Sequence, residues 1–274
     1  MINRSAVAAL PADVPEFLRS KAAQDAMDYY GPQPDHWRSE DPGLYATMLP
    51  EHDIDLEWAD LAGPLPRHRY DYMAALQAAQ PAHPQVKLTA QQVGLLPYST
   101  EEHWVMLMSA MRDYRGLVAA KQDTKPVECE IVFLAGVLGH FVADGSQPLH
   151  VTYQYNGWTG PNPHGYATDN HIHSRFESDY VHDNVKLTDL APLVEAAKPV
   201  VLKDVFEDFV KYLRHSNSLV ETVYQLDKEG AFTGAGTPAG KAFADQQLAA
   251  GAIELRDMIY TAWVRSGDAP PSKY

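Results

Sequence analysis

Apolar positions along this 274-residue chain recur at helical rather than strand spacing. Phe17, Leu18, Ala22 and Met27 fall on one side of a segment that Asp13 and Pro15 open and that runs to about Tyr30. Tyr70, Met73 and Leu76 mark the apolar side of a helix over 67–79. Ser99 followed by Glu102 reads as a capping box, each side chain satisfying a free N–H at a helix start, and predicts a helix over roughly 100–121. Pro126 opens the most apolar helix, which runs to about Asp144. Further helices are predicted over 171–184, 201–227 and 238–265, the last opened by Thr237 and Pro238. No run alternates as a half-buried strand would. Stretches 31–50, 79–85, 154–168 and 228–239 are rich in Pro and Gly and read as loops. No internal repeat or interdomain linker stands out, so the expected architecture is one all-α, multi-helix domain over 1–274.

Composition narrows this only modestly. With 45% hydrophobic and 21% charged residues, the chain has the make-up of an ordinary globular protein. The longest apolar run, 131–143, at about 1.5 Å per residue is too short to cross a bilayer of roughly 30 Å, so no stable membrane insertion is expected. The opening "MINRSAVAALPADVPEF" lacks the apolar core of a signal peptide. A formal net charge of -14 argues against a broad basic nucleic-acid groove, but not against a small site that holds phosphate through metal ions. Cys129 is the only cysteine, which excludes an internal disulfide.

The chemistry concentrates in the middle of the chain, where six of the 12 histidines fall between 140 and 182. In "GHFVADGSQPLH", His140 and Asp144 are four apart and share a helix face. His140 lies amid Phe133, Leu134, Val137, Leu138 and Phe141, and a buried imidazole needs partners for both nitrogens. A metal is one such partner; a hydrogen-bonded core histidine is the alternative. Pro148 stops the helix just before His150. In "HIHSRFESDY", His173 and Glu177 repeat the four-residue spacing. Two histidine–carboxylate pairs of this kind suit a metal cage, and their donors suit zinc and also manganese or iron. His171 falls on a different face from His173, and His164 and His182 read as solvated. The segment "YQYNGWTGPNPHGY" reads either as the wall of a substrate cleft or as an ordered surface loop. "TGAGTPAG" follows no strand and lacks the lysine of a phosphate loop, so it reads as an interhelical connection.

The pattern H-x3-D-x5-H, then H-x3-E about 23 residues later, with "QPLH" inside it, resembles the bacterial zinc-dependent phospholipase C family, which shares its fold and site with the fungal single-strand-specific nucleases. The match is dense over 139–177 and thinner upstream, where "PDHW" offers Asp35 and "HDID" offers His52. The resemblance implies an all-helical domain with a metal cleft between its helices. It implies that Asp35, His52, His140 and Asp144 ligate one zinc, with Asp144 placed to bridge to a neighbour, and that His150, His173 and Glu177 ligate a second. It also implies phosphodiester hydrolysis, with Asp35 as the candidate to orient or deprotonate the attacking water. The substrate would be a phospholipid head group or single-stranded nucleic acid, and the protein a secreted or periplasmic monomer. Glu177 in place of Asp is similar to the phospholipase side. Family members bind a third zinc through an N-terminal Trp and a nearby His, yet no Trp precedes Trp37 and no His precedes His36. "MINRSAVAALP" reads like the segment that follows that His, so two expectations stand: an upstream segment that completes a third site, or a two-zinc protein that has lost catalysis with it.

Overall fold

The computed structural model describes residues 1–269, and among these every regular element is helical, with one isolated bridge between Ile54 and Gly94. The central helix, Lys125–Ser146, buries Ile131, Leu134, Leu138, Phe141 and Val142. It packs against the Leu96–Ala119, Pro238–Arg265 and Lys21–Tyr30 helices. At 22 residues it is longer than the apolar run inside it suggests. By length and hydropathy alone it would reach across a bilayer, but much of its surface is buried against other helices.

One close approach sets the turn before His140. Asn3, on the Ile2–Ala8 helix, donates to the carbonyls of Met27 (2.9 Å) and Gly136 (3.2 Å). A Cβ at Gly139 would collide with Asn3 Oδ1, so glycine there lets the first helix close onto the central one.

The core comprises two adjoining apolar clusters. The larger includes Leu18, Met27, Tyr72, Leu107, Leu138, Phe141 and Leu255. The smaller, under residues 172–184, includes Leu149, Ile172, Phe176, Tyr180, Tyr224 and Phe232. Leu248 packs on both. Burying each such side chain contributes roughly 1.5–3 kcal/mol, so the smaller cluster is a substantial anchor for the 172–184 stretch.

Several local expectations change. The segment after Pro15 is not continuous: Glu16–Arg19 ends at Ser20, and Lys21–Tyr30 restarts with Ser20 Oγ accepting from Ala23 N. The restart shifts the buried face, so Ala23 is buried and Ala22 is exposed. In the Arg69–Ala79 helix the buried residues are Tyr72 and Leu76, while Tyr70 is 81% exposed. Ser99 is no cap, because the helix already begins at Leu96 with Pro97 in its first turn. Ser99 Oγ donates to the Glu51 carboxylate, and Glu102 pairs with Arg69. The Pro-rich stretch read as loop contains the Gln33–Glu40 and Pro42–Met48 helices, each with Pro in its first turn. Ile2–Ala8 and Leu187–Ala196 are further helices outside the expected set, and 201–227 divides into Val205–Asn217 and Val220–Lys228.

Candidate metal centre

Three chain segments build the first cluster. Asp35 comes from the Gln33–Glu40 helix, His52 follows the Leu49–Glu51 turn, and His140 and Asp144 come from the central helix. His140 Nε2 lies 2.8 Å from His52 Nδ1. The Asp144 Oδ2 oxygen is 3.2 Å from His52 Nδ1 and 3.5 Å from His140 Nε2. The Asp35 oxygens stand 3.9 and 4.0 Å from the same two nitrogens. Asp35, His52 and His140 thus direct one donor atom each at a common space, with Asp144 against its edge. Both imidazoles are buried, and His52 Nε2 has no hydrogen-bond partner. Burial alone would push the Asp144 carboxyl up, but His140, His150 and His52 outweigh it and hold it below the usual range.

In the second cluster, Glu177 Oε2 is 2.9 Å from His173 Nε2 and 3.4 Å from His150 Nε2. The opposite nitrogens are committed elsewhere. His150 Nδ1 is 2.9 Å from the His52 carbonyl, and His173 Nδ1 is 3.1 Å from the Tyr155 carbonyl. A carbonyl only accepts, so each Nδ1 carries its proton and, in the neutral ring, each Nε2 turns a lone pair inward. This is the orientation that outer-shell carbonyls impose on metal-ligating histidines. Burial pushes Glu177 up, but hydrogen bonds from His150 and His173 take it well below the usual range. Burial works against charge on His150, yet Asp144, Glu177 and Asp53 carry it up to about 10. Without metal, a protonated imidazole supplies the positive charge that these carboxylates favour.

Glu177 sits in a six-residue π-helical turn, Arg175–Tyr180, a rare geometry that often marks functional positions. Arg175 pins this turn through two hydrogen bonds to Asp227, at 2.7 and 2.9 Å.

Both clusters open onto one cavity of about 520 Å³, lined by Asp35, His140, Asp144 and Glu177 and on its apolar side by Ile2 and Leu248. Arg38, absent from the sequence expectations, pairs with the cavity-lining Asp35, its guanidinium 2.7 Å from Asp35 Oδ1. The three-residue spacing from Asp35 was the available signal, but it carries meaning only once 33–40 is known to be helical.

The chain matches no known family model, curated protein or solved structure. Geometry alone therefore describes this centre. The structure brings Asp35, His52, His140 and Asp144 to one place and His150, His173 and Glu177 to another. His164, His171 and His182 lie exposed outside both groups. Of the two readings of 153–166, the ordered surface loop fits: Trp158 packs on Tyr166 and Tyr224, and no residue of the segment lines the cavity. Its contribution is to hold His173, through the Tyr155 carbonyl and a 3.3 Å bond from His173 N to Asn156 Oδ1. Among the described residues no third set of three such donors converges.

Proposed function

We propose that this chain is a zinc-dependent phosphodiester hydrolase of the all-helical phospholipase C and single-strand nuclease type. One zinc would be held by Asp35, His52, His140 and Asp144, and the other by His150, His173 and Glu177. The observation that carries this reading is the gathering of these seven side chains, drawn from five chain segments, into two compact clusters, of which Asp35, His140, Asp144 and Glu177 line one cavity. The donor set fits: mixed imidazole nitrogen and carboxylate oxygen suits zinc, and main-chain carbonyls fix the inward nitrogens of His150 and His173.

When bound, zinc supplies positive charge to the phosphoryl oxygens and lowers the pKa of a neighbouring water. The protein's own groups do the rest. Asp35 faces the cavity with its side chain 47% exposed, so it can reach both solvent and the cluster. Arg38 fixes its orientation, leaving Asp35 placed to accept a proton from an attacking water. The Arg38 guanidinium also offers fixed positive charge beside a phosphate. Ile2 and Leu248 give the cavity an apolar side against which the uncharged part of a substrate packs. The substrate is a phospholipid head group or a single-stranded nucleic-acid phosphodiester.

The test is elemental analysis of the purified chain, in parallel with turnover on phospholipid and on single-stranded DNA. Two zinc ions per chain with hydrolysis of either substrate is the expected result. No bound metal after incubation with zinc near neutral pH would overturn the proposal. Two bound zinc ions without turnover on either would favour a metal-binding protein that is not an enzyme.

A further inference from the structure

We infer that the two clusters load metal as a coupled pair, because His52 serves both: its imidazole faces the first and its main-chain carbonyl holds an imidazole of the second. This rests on the two-zinc reading above and adds a regulation of loading that the reading does not require.

The connection is short and runs both ways. His150 Nδ1 donates to the His52 carbonyl at 2.9 Å, and Ile54 N donates back to the His150 carbonyl at 2.9 Å. The segment that presents His52 is therefore laced to the segment that presents His150. Ile54 is fully buried, so this lacing is shielded from competing water. A second connection follows the chain. The end of the central helix carries His140 and Asp144, Gln147 N bonds the Asp144 carbonyl at 3.1 Å, and His150 N bonds the Gln147 carbonyl at 2.9 Å. The buried Gln147 side chain then reaches across to Glu177 Oε2 at 3.3 Å.

These contacts give one element to two sites. A metal at the first cluster restrains the His52 imidazole, and with it the carbonyl that sets the direction and tautomer of His150. A metal at the second restrains His150, and through the same hydrogen bond the backbone of His52. Whichever ion binds first bears the ordering cost of the shared segment, and the other finds it already ordered. Linkage requires the effect to be equal in both directions. Outer-shell partners of this kind change metal affinity by roughly 10- to 100-fold, and coupling at the low end of that range, about tenfold, is expected here. Repulsion between two bound cations acts in the opposite sense, so the measured sign decides which dominates.

The experiment is a competition titration with a zinc chelator on the full chain. His140→Ala removes the first site and yields the affinity of the second alone; His173→Ala yields the first alone. The expected result is a two-zinc constant for the unaltered protein about tenfold or more above the product of the two single-site constants. Asp35→Ala, at a half-exposed position, replaces His140→Ala should the buried substitution prevent folding. A constant equal to or below the product would overturn the coupling while leaving the two-zinc reading intact. Failure of the unaltered protein to bind zinc would overturn both.

Discussion

Glu254→Gln should stabilise this protein above neutral pH and leave it little changed in acid. Glu254 lies on the Pro238–Arg265 helix with Oε1 buried and without a partner. Burial, reinforced by Asp257 and Asp208, pushes its carboxyl up to about 8. In the unfolded chain the same group titrates near the ordinary value, about 4.3. Between these two values the folded state holds a proton that the unfolded state has lost, so stability falls as pH rises through that window. At about 1.4 kcal/mol per pKa unit, the full shift would correspond to roughly 5 kcal/mol, which water access and relaxation reduce to about 2 kcal/mol. Glutamine keeps the shape without the charge. For a chain of this size the gain corresponds to about 4–8 °C in Tm at pH 9, shrinking towards zero by pH 5. The assay is thermal unfolding of both proteins at pH 5, 7 and 9, read as the difference between them. Asp55, raised to about 8 by burial and by Asp53 and Glu57, titrates in the same window. It is common to both proteins and cancels in the difference. A difference that did not change with pH would refute the assignment of a neutral, buried Glu254.

Three further outcomes follow from the proposed two-zinc centre. Removing zinc with a chelator should lower the Tm, because ligands from separate segments lose their common partner, and zinc alone should restore it; an unchanged Tm would argue against bound zinc. His150→Ala and Glu177→Ala should each cut zinc content from two ions to one, with the first cluster filled, as elemental analysis would show; unchanged content in either variant would remove that residue from the ligand set. Arg38→Gln should lower kcat by about tenfold or more with zinc content intact, and Arg38→Lys should recover part of the loss. Equal activity in all three proteins would place Arg38 outside the reaction.

Within single helices the sequence was a good guide, because a fixed rise and twist determine which side chains are neighbours. His140 and Asp144 face one another at 3.5 Å, as their four-residue spacing in an α-helix required; His173 and Glu177 also meet, at 2.9 Å, although the chain passes from an α turn into a π-helical one between them. The helical class and the long apolar helix were legible for the same reason. Where the local pattern allowed more than one answer, tertiary contacts chose. Ser99 and Glu102 had the spacing of a cap, but the helix begins earlier, at Leu96, and the two side chains pair instead with Glu51 and Arg69 from other segments. Tyr70 and Tyr72 are equally apolar on paper; packing buried Tyr72 against Tyr98 and left Tyr70 in solvent. Prolines in 31–50 looked like loop formers, yet a proline in a first turn lacks only an N–H that has no helical partner there. That misreading hid Arg38 beside Asp35. No spacing rule could show that the carbonyl of His52 would hold His150, because that bond joins residues 98 apart and exists only once two segments are packed together. Local geometry is written in covalent structure and helical repeat; contacts between distant segments depend on how the whole apolar surface is buried at once.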